Sequence, residues 1–325
     1  MRVKVGTFNL NNLFSRFNFQ AEIADMPAKE EAITISYQFA DPSGYRIRSF
    51  KGRLIKPKSA EGRAAIVERI KRMDLDVLAA QEVEDIDTLR RFNADELGSM
   101  YRHLVLIEGN DERFIDVAVL SKFPIGGITT HQKATHPDDP NDEVFSRDLL
   151  EVEILDKDRK KRLFTLYNTH LKSQFVDPKQ FNTPAEVDAE RQRADRRRCQ
   201  QAETINAILK LQMHPTQPYI LVGDMNDTPD SEPLAAFRDP RVGMINALAS
   251  PEETRPAKKD NPPPATKAWT HRFKESGQPA RYELFDHIWI SPVLGPALKK
   301  AMIDRRTKHE GNGSDHDPAW IELEL

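Results

Sequence analysis

Hydrophobic positions along this chain fall into short alternating or continuous runs, and most of those runs stop at a polar residue. Residues 2–9 alternate as a strand and end in Asn9-Leu10-Asn11-Asn12. Asp76-Val77-Leu78-Ala79-Ala80 is a continuous apolar run of the kind that forms a strand buried on both faces, and it leads into Gln81-Glu82-Val83-Glu84. Further strands are predicted over residues 101–107, 115–121, 148–155 and 162–169, with another after Phe123-Pro124-Ile125; the 162–169 strand leads into His170. Tyr219-Ile220-Leu221-Val222 delivers Gly223-Asp224-Met225-Asn226-Asp227. Residues 281–290 read as one strand with Asp286 on its inward face. The alternating terminal run 319–325 follows Gly313-Ser314-Asp315-His316-Asp317-Pro318 directly.

Helical spacing is confined to three stretches. Ala65, Ile66, Ile70 and Met73 give residues 59–72 an apolar stripe, and a second helix is expected over 86–97. The third has a strong start: Thr183 as N-cap, Pro184 at the first position and Glu186 closing a capping box, with the helix running to about Leu211. Its five arginines, from Arg191 to Arg198, stand among Glu186, Asp188, Glu190 and Asp195. That mixture reads as a solvated, salt-bridged face, with an arginine edge toward a polyanion as the sharper alternative. A short helix is expected to start at Asp227 or Thr228, ahead of Pro229. Residues 14–58 have no clear period and read as an insertion with a short hairpin near Tyr45-Arg46-Ile47-Arg48. Residues 131–143 read as a loop. So do the proline-rich residues 250–267, which are expected to be mobile. No repeat and no linker divides the chain, so a single domain over residues 1–325 is expected.

Composition narrows the field. With 38% hydrophobic and 30% charged residues, 325 residues can bury a sizeable core. A net charge of −3 supplies no global basic field for nucleic acid, although a local basic groove is compatible with it. Cys199 is the one cysteine, which excludes an internal disulfide and a thiolate zinc cluster. No apolar run approaches the roughly 18 residues of a membrane span. The N-terminus lacks the apolar stretch of a signal peptide, so a cytoplasmic location is expected. A secreted protein whose leader had been removed would present the same start.

Several strands thus end in groups that are expensive to bury singly: Asn9 and Asn11, Glu82, His170, Asp224 and Asn226, Asp286, Asp315 and His316. One shared site, where they satisfy each other, a metal and a substrate, accounts for all of them. Without thiolates or a helical His-x-x-x-His pair, zinc is disfavoured. Carboxylate and amide oxygens suit Mg²⁺ or Mn²⁺.

Six motifs in order carry a resemblance: Thr7-Phe8-Asn9-Leu10-Asn11, Gln81-Glu82-Val83, Asn168-Thr169-His170-Leu171, Gly223-Asp224-Met225-Asn226-Asp227, Phe285-Asp286-His287-Ile288 and Ser314-Asp315-His316-Asp317-Pro318. Together they resemble the endonuclease/exonuclease/phosphatase superfamily across essentially the whole chain. The resemblance implies a four-layer α/β/β/α sandwich of two mostly antiparallel sheets flanked by helices, with a divalent-metal phosphoester hydrolase site at one end. It implies Glu82 as principal metal ligand, Asn9 or Asn11 completing the shell, and Asp315 beside the ion. His316, oriented by Asp286, would act on the attacking water, Asp224 and Asn226 would position nucleophile and phosphate, and His170 would stabilise developing charge. Many nucleases of the family carry an acidic residue where Asn11 stands, so the number of metals is left open. Residues 109–117 also resemble the strand entry of bacterial nuclease-like members, which implies Arg113 near substrate phosphate.

The expected activity is therefore phosphodiester hydrolysis, with nucleic acid as the leading substrate. The alternative is a lipid or small-molecule phosphoester, as in the sphingomyelinase and inositol-phosphatase branches. A non-catalytic binding module ranks last because the acid–base set is intact.

Overall fold

The computed structural model describes residues 1–14, 58–111, 113, 115–212, 217–256, 262–274, 277–306 and 313–325. Of the expected 14–58 insertion only Phe14 and Lys58 fall within them, and the suggested hairpin at 45–48 lies outside. The first half of the chain runs β1 (Arg2–Leu13), α1 (Ala60–Met73), β2 (Val77–Val83), α2 (Ile86–Arg91), β3 (His103–Leu106), β4 (Asp116–Ser121), β5 (Ile125–Thr130), β6 (Thr135–His136), β7 (Asp139–Glu143), β8 (Leu149–Leu155) and β9 (Arg162–His170). It continues through α3 (Pro184–Gln212), β10 (Tyr219–Asp224), β11 (Ile245–Asn246), β12 (Glu252–Glu253), β13 (His271–Phe273), β14 (Arg281–Glu283), β15 (Asp286–Ile290), β16 (Leu298–Ile303) and β17 (Ala319–Glu324).

Two mixed sheets, mostly antiparallel, stack face to face. One has the order β12-β16-β17-β1-β2-β4-β3 and the other β11-β15-β10-β9-β8-β5. Strand alternation divides the apolar residues between three interfaces. Val3, Val5, Val77 and Ala79 face inward and pack with Val152, Leu166, Val222 and Ile288 of the opposite sheet. The outward residues Phe8, Leu78 and Ala80 cover Ile66, Ile70 and Met73 of α1. On the far side Tyr167, Leu221 and Trp289 cover Ala202, Ile205 and Leu209 of α3. Each buried aliphatic side chain contributes about 1.5–3 kcal/mol. The result is the α/β/β/α order that the motifs imply.

Helix starts follow the local chemistry of the sequence. Ser59 caps α1 by accepting from the Gly62 N–H. The capping box of α3 is formed: Thr183 Oγ1 accepts from the Glu186 N–H at 3.3 Å, and Glu186 returns the contact to the Thr183 N–H at 3.1 Å.

Two parallel pairings bring the polar strand ends together. β1 runs parallel to β2, and β9 parallel to β10, so Asn9, Glu82, His170 and Asp224 all emerge at one edge. β15 runs antiparallel to β10 and enters there, placing Asp286 opposite Asp224. β17 is antiparallel to β1 with Ala319 opposite Thr7, so the segment carrying Asp315 and His316 arrives at the same edge. Gly223 allows the close β9–β10 approach. At its φ of +141° a Cβ would lie 1.9 Å from the Thr169 carbonyl oxygen.

A polar rivet joins the sheets just beneath that edge. Thr7 Oγ1 donates to Gln81 Oε1 at 3.2 Å, Gln81 Nε2 donates to Asn168 Oδ1 at 2.8 Å, and Asn168 Nδ2 reaches the Ala80 and Ala118 carbonyls at 3.1 and 2.9 Å. Replacing Asn168 by Leu is expected to lower stability by about 2–4 kcal/mol, because Gln81 and two carbonyls lose buried partners. A urea midpoint equal to that of the wild type would contradict this.

Four local expectations need correction. The 131–143 segment contains the short hairpin β6–β7, whose polar strands give no alternating signal. Residues 281–290 form two strands, because the Phe285 and Asp286 N–H groups turn to Thr270 Oγ1 and the Phe285 carbonyl takes the Met225 N–H. No helix starts at Asp227 or Thr228; Asp227 binds Arg198 instead, and the chain turns toward a 3₁₀ segment at Ala235–Arg238. Finally, Glu252–Glu253, inside the proline-rich stretch, pairs with β16, a strand missing from the sequence-based reading.

Candidate active site

Every strand-end residue singled out from the sequence lies in one connected cluster, apart from Arg113, which borders it. Asn9 is the link: its Nδ2 donates to Asp224 Oδ2 at 2.9 Å and to Glu82 Oε1 at 3.3 Å. The Asn12 N–H donates to the other Glu82 oxygen at 2.9 Å. The Asn11 N–H donates to Asn9 Oδ1 at 2.8 Å, and Asn11 Nδ2 to Asp315 Oδ1 at 2.6 Å. His316 Nδ1 donates to Asp286 Oδ2 at 2.7 Å, while its Nε2 stands 3.7 Å from Asp224 Oδ2. His170 Nε2 lies 3.5 Å from the same Asp224 oxygen. Asn226 donates its N–H to Asp224 Oδ1 at 2.9 Å and its Nδ2 to the Leu171 carbonyl at 3.1 Å.

The backbone is bent to achieve this. Asn11, Asn12, Glu82 and Asn226 have φ of 48°, 60°, 61° and 52°, in the left-handed region that a side-chain-bearing residue enters at a cost of about 1–2 kcal/mol. Asparagine pays least there, which fits three of the four; Glu82 is the residue the fold must hold in place.

Electrostatics sort the ionisable groups. Burial opposes a charge on His316, but Asp286, Asp224 and Asp315 outweigh it and hold its proton affinity well above the usual imidazole range. Asp224 moves up, chiefly through burial and with Asp286 adding, against His316 and the Asn9 and Asn226 donors. Burial drives His170 well below the usual range, helped by Arg147 and His316, so it stands neutral. Burial raises the Asp315 carboxyl, yet His316 and Asn11 overcome it and leave it lowered. His287, next to Asp286, is a structural histidine: burial lowers it to about 4, its Nε2 faces the Asp227 and Leu284 carbonyls, and its Nδ1 accepts from Trp289.

Arg113 borders the cluster. Asp111 holds its guanidinium through contacts of 3.0 and 2.9 Å, and the charge of Glu82 acts on it. The arginines of α3 follow the salt-bridged reading, with Arg191 on Asp188 at 3.0 Å and Arg193 on Glu190 at 2.7 Å. Arg198 also pairs with Asp195 but departs from the solvated part of that reading. Fully buried, it binds Asp227 at 3.0 Å and the Lys172 carbonyl at 3.1 Å, clamping the segments that follow β9 and β10.

Several site neighbours gave no signal in the sequence. Arg147 is buried between Asp111, 3.1 Å from its Nε, and the Leu171 carbonyl, 2.8 Å from its Nη1. Lys58 donates to the Gly313 carbonyl, and the charges of Glu82 and Asp315 act on its ammonium group. Asp317 receives Arg69 at 3.0 Å, Arg306 at 3.1 Å and Arg305 at 3.3 Å, which anchors the loop bearing Asp315 and His316. His271 stacks on Phe285 and pairs by a β-bridge with His316. Its aromatic and β-branched setting, Trp269-Thr270-His271-Arg272-Phe273, was the one available hint.

Asp116, at the start of β4, lies outside the cluster and is raised to about 7 by burial, with Glu108, Asp111 and Asp148 adding and the Gly109 N–H opposing. A carboxyl raised in the folded state supports folding fully below the ordinary aspartate range, and that support is lost as pH rises through about 7. Asp116→Asn is therefore expected to stabilise the protein by about 1–3 kcal/mol above that pH and to change little near pH 4. Urea midpoints compared across that range check the sign.

An α/β/β/α sandwich that gathers carboxylates, amides and histidines at one end of its sheets belongs to the deoxyribonuclease-like class of folds. The sequence pattern of the Endonuclease/Exonuclease/phosphatase family matches residues 6–316, so the chain belongs to that family. Members of the family hydrolyse phosphoesters and generally use divalent metals, and the clustered acidic and histidine residues here could hold one. A family protein from Bacteroides vulgatus is similar in structure at 16% identity and a TM-score of 0.59, covering 100% of this chain and 99% of its own. A mannosyl-6-phosphatase from Bacteroides thetaiotaomicron (14%, TM-score 0.56) and an AP endonuclease from Archaeoglobus fulgidus (16%, 0.55) each match over 99% of this chain and 100% of their own. No curated protein sequence matches. Among the described residues no helix is long and apolar enough to cross a membrane.

Proposed function

We propose that this protein is a Mg²⁺- or Mn²⁺-dependent phosphodiesterase acting on nucleic acid. The observation that carries this reading is the run of contacts Asp286–His316–Asp224–Asn9–Glu82, which links an acid–base pair to a hard oxygen donor. Glu82, Asn9, Asn11 and Asp315 would hold the ion; all offer oxygen, the donor type such cations take. When bound, the ion supplies positive charge beside the phosphoryl oxygens.

The protein's own groups do the rest. His316 Nε2 and Asp224 Oδ2 face each other closely enough to hold one water between them and to take its proton as a unit. Asp286 fixes the His316 ring and stabilises its imidazolium form. Asn226 and Asp224 orient the scissile group. Neutral His170 donates to the oxygen that gains charge. Arg113, held by Asp111, meets an adjacent phosphate.

The AP endonuclease neighbour supports nucleic acid as substrate, whereas the mannosyl-6-phosphatase neighbour supports a small phosphoester. Supercoiled plasmid and RNA, incubated with Mg²⁺, Mn²⁺ or EDTA, decide between them. Metal-dependent cleavage of either supports the proposal. Release of phosphate or phosphocholine from small esters or lipids, with nucleic acid left intact, supports the alternative.

A further inference from the structure

The geometry points to a second metal site, selective for zinc-like ions, built from His271, Asp315 and His316 and overlapping the oxygen site proposed above at Asp315. One ligand-capable atom from each lies within 4.8 Å of the other two. Two imidazoles and one carboxylate are a borderline-soft set, unlike the carboxylate and amide groups around Glu82, and imidazole nitrogen favours zinc over magnesium.

Three observations make the trio more than a chance cluster. The β-bridge between His271 and His316 fixes their backbones side by side, and their ring centroids stand 5.2 Å apart. His271 is held from behind by Phe285, stacked at 4.9 Å and 11°, and its Nδ1 is buried with no hydrogen-bond partner. His316 gives its Nδ1 to Asp286, so Nε2 is the nitrogen that an ion would take, displacing its proton; a carboxylate behind a ligating imidazole is the usual support of a zinc-bound histidine.

Small adjustments of Asp315, the most exposed of the three, would close the site around one ion with a fourth position open to water. An ion there also takes His316 Nε2 and Asp315 out of the reaction, so zinc would inhibit hydrolysis; that consequence, though not the site itself, rests on the function proposed above.

Calorimetric titration of the metal-free full chain with ZnCl₂, in excess Mg²⁺, tests the site. One equivalent is expected to bind to the wild type. His271→Phe, which keeps the stack on Phe285, is expected to weaken binding by at least about tenfold, whereas Glu82→Gln retains it. Co²⁺ substitution gives a second readout, since d–d bands of nitrogen-ligated Co²⁺ should form in the wild type and be lost in His271→Phe and His271→Gln. Equal zinc affinity in the wild type and His271→Phe, or loss of zinc only on removing Glu82, would overturn the assignment. Absence of Mg²⁺-dependent cleavage in the wild type would sink the proposed function and leave the titration to judge the zinc site alone. Where cleavage occurs, the zinc concentration that halves it is expected to rise by the same factor in His271→Phe.

Discussion

Replacing His316 by Asn is expected to lower phosphodiester cleavage by about 10²–10⁴-fold, the range typical of losing a positioned acid–base group. Asparagine is the informative substitute. Its amide nitrogen can take over the Nδ1 contact to Asp286, so the buried carboxylate keeps a partner, but nothing replaces Nε2 in front of Asp224. Alanine would strand Asp286, which is wholly buried, and breaking such a pair costs about 3–5 kcal/mol of stability. Loss of activity in that variant would then be ambiguous. The Asp224→Asn variant completes the comparison: if the two residues handle the proton as one unit, the double variant falls little further than either single one. Activity in His316→Asn within a few-fold of the wild type would remove the acid–base role from this residue.

Much of this site was legible because burial is written into strand sequences. An apolar run that stops at Asn, Glu, His or Asp marks where a strand leaves the core, and Asn9, Glu82, His170 and Asp224 were all found that way. Which ends meet was harder to see, since it depends on β1 and β9 each taking a parallel partner, and residue spacing does not encode pairing partners. Polar residues inside the sandwich are a different case. Gln81 and Asn168 sit among the motif residues yet rivet the two sheets, because their side chains point into the core. Arg198 carries the same charge pattern as its solvated neighbours on α3, and only the packing of Asp227 against it reveals its burial. His271 lies on a three-residue strand, too short for any periodic signal.

Substituting Glu82 by Gln should abolish metal-dependent activity while sparing the fold. Gln keeps the shape and one acceptor oxygen, for either the Asn12 N–H or Asn9 Nδ2, so the left-handed turn at φ 61° retains one of its two contacts. What disappears is the formal charge that a dication needs from a site otherwise supplied mainly by amides and Asp315. A ligand that binds only the native state stabilises by about 2.7 kcal/mol at a hundred times its Kd. The wild type should therefore melt at higher temperature as Mn²⁺ is added, and Glu82→Gln should not. Activity in Mn²⁺ should fall by at least about 10²-fold, as expected when charge stabilisation at the phosphoryl oxygens is lost. An unchanged Mn²⁺-dependent melting shift in Glu82→Gln would move the ion elsewhere, to the carboxylates and histidines on the Asp286 side of the cluster. A shift lost without loss of activity would separate the metal from catalysis altogether.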